Sequence, residues 1–221
     1  MKRTTIAFGA VCFLGACMGS DGGAERFNTG DAAFDALGNR AIDVFDEFEA
    51  LDSEEGFTPF TAVAAEEGGS AIYNGVATVV AGTFDEETDT ETVDYLAVGS
   101  FTVTADFGIA QSVTGTADGF FEIANPEVAN DENSELTDAV NAGAIEGSFA
   151  FDLDIYDLGG DAAADGDVTG SITTLDDTEI ALTETTAFGD FYGNDLDALS
   201  VDAGTEEEGN RFIEISATGL R

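Results

Sequence analysis

The stretch "IEGSFAFDLDI", residues 145–155, alternates apolar and polar side chains with a period of two. Phe149 and Phe151 stand on the apolar side of this pattern, and Asp152 stands on the polar side. Such alternation is typical of a β-strand that lines a core with one face and meets water with the other. Gly147 shares the apolar side, although glycine weakens a strand interior.

The same glycine context recurs in "YNGVAT", "AVGSFT", "SVTGTA" and "DVTGSI", where a spacer precedes the glycine and Ser, Thr or Val follows it. The five glycines concerned are Gly75, Gly99, Gly115, Gly147 and Gly170. Because glycine relieves crowding at tight bends of a strongly coiled sheet, this repetition favours a sheet that curls on itself.

Segments with period two follow one another from about residue 58 to the last residue. The predicted strands are FTAVAA, AIYNGVATVVAG, VDYLAVGSFTVTADF, QSVTGTADGFF, AIEGSFAFDLDIYD, GDVTGSITTL, EIALTETTAF, ALSVDA and RFIEISAT. Turn signals lie at Gly68–Gly69, Gly108, Gly159–Gly160, Asp165–Gly166 and Asp176–Asp177. We therefore predict an all-β fold, a single antiparallel up-and-down β-barrel of about eight strands with an interior filled by side chains. A flat sandwich is the competing architecture.

Two segments outside these strands have helical character. "DAAFDALGNRAIDVFDEFEALD", residues 31–52, spaces its apolar residues by three and four, which predicts an N-terminal amphipathic helix capped by Asp31. Gly38 is expected to divide this helix into two pieces. The apolar stripe is expected to pack on the barrel, and a partner-binding helix is the alternative. The polar insertion that begins at Asn125 predicts a short helix near Ser134–Asn141.

The N-terminus has the pattern of a bacterial lipoprotein signal. A basic start and a short apolar run end in "LGAC", Leu14 to Cys17, and the run is too short to span a bilayer as a helix. This pattern resembles the lipobox, in which the chain is cut before the cysteine and the cysteine is lipidated. We therefore predict Cys17 as the lipidation site, with palmitate-type acyl chains. Met18 stands where an aspartate would favour the inner membrane, so the expected location is the outer membrane, on its periplasmic face or at the cell surface.

The predicted organisation has four parts. Residues 1–16 form the signal peptide, 17–30 a flexible Gly-rich tether, 31–56 a helical segment that packs on the barrel, and 57–221 the β-barrel domain.

Composition restricts the partners. The chain has 46 acidic residues, six basic residues and a net charge of −40. Such a surface repels nucleic acid and anionic lipid heads, so we expect no nucleic-acid partner, contact with the membrane through the lipid anchor alone, and a monomer. The acidic surface is interpreted as an adaptation for solubility at high ionic strength, and a cationic partner or divalent cations are the alternatives.

Catalysis and metal binding are also restricted. The chain has no histidine, its one lysine is in the signal peptide, and Cys17 is the expected lipid site, so the usual nucleophile systems and His metal ligands are absent. We expect a protein that is not an enzyme and has no cofactor or structural metal site. Weak surface calcium binding is the alternative, at Asp161, Asp165 and Asp167 or at Asp195 and Asp197.

The lipobox, the tether and strands such as "YNGVATVVAG" and "VTGTADGFF" resemble the β-barrel domain of transferrin-binding protein B-like surface lipoproteins. "FGDFYGND", residues 188–195, is similar to the G-x-F-Y-G turn near the end of those barrels, and Gly189, Phe191, Tyr192 and Gly193 match it. The resemblance covers about residues 57–219, but here there is one barrel and one helical segment in place of two lobes with handle domains. It implies the fold, the outer-membrane address and a binding role.

Two functions remain open. The first is a lipid-anchored surface lipoprotein that captures a protein or a metal-bearing ligand, such as an iron-carrying protein, through its barrel loops. The second is a structural or envelope-interaction lipoprotein without soluble cargo.

Overall fold

The computed structural model describes residues 26–66, 68–85, 90–129, 136–207 and 210–221. It contains two α-helices, α1 (Ala32–Glu54) and α2 (Phe60–Ala65), and two 3-10 helices, Pro126–Ala129 and Leu136–Asp138. The strands are β1 (Ser70–Asp85), β2 (Thr90–Asp106), β3 (Ser112–Ile123), β4 (Asn141–Ala144), β5 (Glu146–Leu158), β6 (Asp161–Thr173), β7 (Glu179–Tyr192), β8 (Ala198–Glu207) and β9 (Arg211–Leu220). Within the described part, neither α-helix is long and apolar enough to cross a bilayer.

The sheet is a closed up-and-down barrel of eight antiparallel strands. Successive strands pair with each other, and β1 pairs with β9 from Asn74 opposite Leu220 to Thr83 opposite Arg211, which closes the ring. The short strand β4 continues β5 on the N-terminal side of a break at Ile145 and pairs with β3. The predicted barrel is therefore confirmed, and the flat sandwich is wrong because closure pairs both edges of the sheet.

Aromatic and branched side chains fill the barrel. Phe149 and Phe151, predicted to point inward, are 0% and 2% exposed, while Asp152 is exposed. The ring of Phe151 meets that of Phe101 edge to face at 5.3 Å, and Phe149 meets Phe120 at 5.9 Å. This is the solid interior expected of an eight-stranded barrel.

The glycine pattern reflects close approach between neighbouring strands. A Cβ on Gly75 would lie 1.8 Å from the carbonyl oxygen of Thr218 on β9, which is far inside van der Waals contact. Gly147 has a φ of +122°, and a Cβ there would lie 2.2 Å from the carbonyl oxygen of Ser171. Only glycine fits at these two positions, because the neighbouring strands leave no room for a side chain.

One predicted strand is a helix. The segment "FTAVAA" forms α2, which covers one end of the barrel and inserts the fully buried Val63. Its alternation is too short to distinguish a strand from a helix, and the pair Phe60 and Val63 has the three-residue spacing of a helix face. Pro59, whose fixed φ suits the position before a helix, occupies the N-cap.

A predicted turn is also wrong. Asp165 and Gly166 lie within β6, where Asp165 stands opposite Asp154 of β5. A Cβ on Gly166 would lie 2.2 Å from the carbonyl oxygen of Asp152, so this glycine serves strand packing and does not mark a turn.

Helix α1 packs against the outer face of the barrel. Its apolar stripe, which includes Phe34 and Leu37, joins Val80 of β1 and Phe212 of β9 in a second hydrophobic cluster. The predicted amphipathic helix is thus confirmed. Asp31 is its N-cap, and the Asp31 carboxylate accepts hydrogen bonds from the amides of Ala33 and Phe34 at 3.0 and 3.2 Å.

Gly38 does not divide α1, because the helix is continuous through it. A Cβ on Gly38 would lie 2.5 Å from the ring of Phe27, so the glycine makes room for that ring. Residues 26–30, which the sequence places in the flexible tether, pack against α1, with Phe27 7% exposed. Residues 1–25 lie outside the described part of the chain.

The insertion after β3 carries the two 3-10 helices. Leu136–Asp138 falls within the short helix predicted near Ser134–Asn141, whereas Asn141 already begins β4. Ser134 is outside the described residues.

Candidate binding groove beside helix α1

An open groove of about 450 Å³ lies between the first half of α1 and the outer face of the barrel. Its helix side is formed by Ala33, Ala36, Leu37 and Arg40, which follow one another at spacings of three, one and three. This side lies beside the apolar stripe of α1, and the small side chains of the two alanines leave the space open.

The barrel side of the groove comes from β2, β3 and the break between β4 and β5. Gly119, Phe120 and Phe121 of β3 form its floor, with Ser100 on one side and Ala144 and Ile145 on the other. The strands are irregular at this place, because the register shifts between Val98 and Ser100 and again beside Ile123. Such irregularities bend strands, and here they leave the sheet surface clear of the helix.

Near the Ala33 end of the helix side, the helix cap contacts β4. The side-chain amide of Asn141 donates a hydrogen bond to the Asp31 carboxylate at 3.2 Å. The amide oxygen of Asn141 is buried without a hydrogen-bond partner within the described part of the chain. Arg40 lies toward the other end of the helix side, two turns further along α1.

Arg40 differs from the other arginines that the structure pairs. Arg26 forms an ion pair with Asp43 at 2.6 Å, and Arg221 forms one with Glu66 at 2.9 Å. Arg40 is exposed and makes no ion pair with any described residue. It is also the one charged side chain among the described residues that line the groove.

The sequence alone does not predict this groove. The short spacing from Ala33 to Arg40 is visible in the printed sequence, but the space depends on strand irregularities more than 60 residues further along the chain. The one available signal is an arginine in a helix where acidic residues far outnumber basic ones.

A group of carboxylates separate from the groove lies on the outer face of β7, β8 and β9, and we call it the acidic row. It consists of Asp190, Asp202 and Glu214. Burial raises the pKa of Glu214 to about 7, and Glu91 and Asp202 act in the same direction. Burial, followed by repulsion from neighbouring carboxylates, also raises the pKa of Asp190. These acids therefore hold protons more tightly than exposed carboxylates do.

Asp202 has a hydrogen-bond partner within the acidic row. The Ser216 hydroxyl donates to its carboxylate at 2.6 Å, and the two residues stand opposite each other in the β8–β9 ladder.

The predicted G-x-F-Y-G residues are spread between a strand and a turn. Gly189 and Phe191 lie within β7, Tyr192 is its last residue, and Gly193, with a φ of +83°, is in the following turn. Phe191 is buried in the barrel interior. Tyr192 points outward, where its ring meets that of Phe48 at 4.6 Å. The motif thus joins the barrel core to the second half of α1.

The other predicted sites are the lipidation site and the calcium-binding aspartates. Cys17 lies outside the described residues. Asp161, Asp165 and Asp167 are spread along β6, and no three carboxylate, thiol or imidazole side chains in the described ranges are grouped to hold a metal ion. Weak calcium binding at the surface stays a prediction.

No protein-family model matches the chain, and no curated protein matches it. Among solved structures, the chain is similar to the vaccine antigen transferrin-binding protein B from Haemophilus parasuis in a single-mutant form, with 12% identity and a TM-score of 0.36. It is similar to a double-mutant form with 13% identity and a TM-score of 0.35. The similarity covers 74% of this chain but only 28% and 27% of those chains, so this chain spans less than a third of their length.

Proposed function

We propose that the protein is a lipid-anchored lipoprotein of the outer membrane that binds a ligand on the outside of its barrel. The observation that carries this proposal is the filled interior. Phe101, Phe120, Phe149 and Phe191 are all fully buried, so the barrel has no room for a cargo molecule. Binding is therefore left to the loops and to outer surfaces such as the groove beside α1.

The N-terminal sequence supports the anchor. The "LGAC" motif ends a short apolar run, and acyl chains on Cys17 would each contribute about 0.8 kcal/mol per buried methylene. Two or more acyl chains are enough for durable attachment to the membrane.

The groove favours binding over catalysis. Its described lining offers one hydroxyl, that of Ser100, and one guanidinium, that of Arg40, and no carboxylate that could act as a base. Apolar contact and a fixed positive charge can hold a ligand, but general acid–base chemistry needs a titratable group within reach of the reacting atom.

We further propose that the protein is exposed at the cell surface and captures a protein or metal-bearing ligand through the barrel loops. The sequence resemblance to surface receptor lipoproteins motivates this form. The acidic surface would then attract a partner with a basic surface and speed its association.

The anchor is tested by comparing wild type with Cys17→Ser in metabolic labelling with palmitate and in membrane fractionation. We expect label and membrane association in wild type and neither in the variant. Equal membrane association of the two proteins would contradict the anchor.

Surface exposure is tested with an antibody against the barrel on intact cells, because amine labelling is uninformative in a mature chain without lysine. Staining of intact cells supports the proposal. Staining that requires permeabilised cells, together with a stoichiometric envelope partner, would favour a structural lipoprotein on the periplasmic side.

A further inference from the structure

We propose that the groove beside α1 binds a linear acyl monocarboxylate, with the carboxylate at Arg40 and the acyl chain on the apolar floor. This ligand goes beyond the loop-bound partner proposed above, and it does not depend on how the protein is anchored.

The size of the groove suits such a ligand. Its volume of about 450 Å³ is within the roughly 300–1,000 Å³ of small-molecule sites. At 1.5 Å of rise per residue, the helix side from Ala33 to Arg40 is about 10 Å long. Arg40 stands at one end of this helix side, so a bound chain would meet apolar surface along its length and a positive charge at one end.

The lining favours an acyl chain over a peptide. Ala36, Leu37, Phe121 and Ile145 offer apolar surface, while Ser100 and Arg40 are the polar side chains in the described lining. The amide groups of a peptide would lose water here without gaining enough hydrogen-bond partners, which is costly. Methylene groups have no such requirement.

The charge of the site favours a single carboxylate. A protein with a net charge of −40 repels an anion, and the repulsion grows with the charge of the ligand. A monocarboxylate carries the smallest anionic charge and can place it on an arginine that no described carboxylate neutralises. An acidic protein surface would bring many charges into the same field and gain the same single contact.

Arg40 suits this role because a guanidinium can bind both oxygens of a carboxylate. The bound carboxyl group would then ionise more readily than in the same groove without the arginine, since a neighbouring positive charge favours the charged form. A pKa of the bound carboxyl group that depends on Arg40 would distinguish this site from non-specific adsorption of an acyl chain.

The test is a titration of the full protein with dodecanoate carrying ¹³C at the carboxyl carbon. Binding is followed by NMR and calorimetry in parallel with neutral dodecanol. The variants are Arg40→Gln, Arg211→Gln as the matched arginine outside the groove, and Ala36→Trp to fill it.

We expect saturable binding at one site, weakened about tenfold for dodecanoate by Arg40→Gln and unchanged by Arg211→Gln. Dodecanol binding should not respond to Arg40→Gln. The bound carboxyl carbon should titrate at lower pH in wild type than in Arg40→Gln. Shortening the acid should weaken binding by up to about fourfold per methylene removed.

Ala36→Trp should abolish binding of both ligands, and since Ala36 is exposed on the helix, its melting temperature serves as the folding control. If that variant does not fold, resonance shifts of Phe121 and Ile145 on ligand addition decide whether the ligand is in the groove. Absence of saturable binding, equal effects of the two arginine variants, or shifts confined to other residues would overturn the proposal. None of these results would touch the anchor, which depends on Cys17.

Discussion

The two flanks of α1 make opposite use of charge. On one flank, the groove combines apolar surface with the unpaired Arg40. On the side of β7 to β9, the acidic row places Asp190 and Glu214 where burial favours their protonated forms. The groove can therefore receive an anion, whereas the carboxyl groups of the acidic row have raised pKa values and offer no positive charge.

The difference comes from how the two halves of the helix meet the barrel. The first half lies beside irregular strands, and the small side chains of Ala33 and Ala36 leave open space. The second half is held by aromatic contact, with Phe48 against Tyr192 at 4.6 Å. Open space permits a ligand at the first half of the helix, whereas the aromatic contact closes the second half against the barrel.

The largest expected effect comes from preventing β1 from pairing with β9, because α1 packs against both strands. Gly75→Ala places a Cβ 1.8 Å from the Thr218 carbonyl oxygen, so β1 and β9 cannot pair and α1 loses its support. We expect loss of more than about 4 kcal/mol of unfolding free energy, or failure to fold. Chemical denaturation measures this. Gly189→Ala is the matched control, because its nearest contact is 3.2 Å and the effect should be much smaller; equal effects would contradict the explanation.

Much of this framework could be predicted from the alternation of residues 145–155 and the repeated glycines. Phe149 and Phe151 are inside and Asp152 is outside because a closed sheet with a period of two has no other arrangement. Gly38 shows the limit of such reasoning. Sequence rules expect a glycine to weaken a helix, yet here it accommodates the ring of Phe27, a contact that depends on tertiary structure.

The groove could not be predicted for the same reason. Arg40 looks like any exposed helix residue in the sequence, and its significance depends on Phe121 and Ile145, which are distant in the chain. Likewise, nothing in the sequence separates Glu214 from the other 45 acidic residues, because its raised pKa depends on burial.

The second prediction concerns the acidic row and pH. The folded pKa of Glu214 is about 7 against an ordinary value of 4.5, so between these values the folded state keeps a proton that the unfolded state has lost. The unfolding free energy of wild type should therefore fall as the pH rises from about 4.5 to about 7 and stay level above that range. Glu214→Gln lacks this loss and should be more stable than wild type above pH 7, by roughly 1–3 kcal/mol.

Urea denaturation across pH 4 to 8.5 measures this difference. Glu146→Gln, an exposed glutamate at the start of β5, is the control and should follow the wild-type curve. Parallel curves for wild type and Glu214→Gln would show that Glu214 does not titrate in this range. Asp190 should contribute in the same direction, which leaves a smaller residual dependence in the variant.

The third prediction concerns the N-cap of α1 and its contact with β4. Asp31→Ala removes the N-cap bonds to Ala33 and Phe34 and the contact with Asn141, and should cost about 1 kcal/mol of unfolding free energy. Hydrogen exchange should increase in the first turn of α1 and leave the barrel amides unchanged. Glu47→Ala, at an exposed position of the same helix, should change little; a similar loss there would indicate a general charge effect.

The smallest expected effect separates a structural arginine from a free one. Arg26→Ala breaks the exposed ion pair with Asp43 and a bond to the Asn39 carbonyl oxygen, and should lower the melting temperature slightly at low salt and less at high salt. Arg40→Ala should cost less than Arg26→Ala at every salt concentration, because no described residue pairs with it. Thermal melts of the two variants over a salt series measure the difference. If Arg40→Ala destabilised the protein more than Arg26→Ala, Arg40 would have a structural partner and would not be available to a ligand.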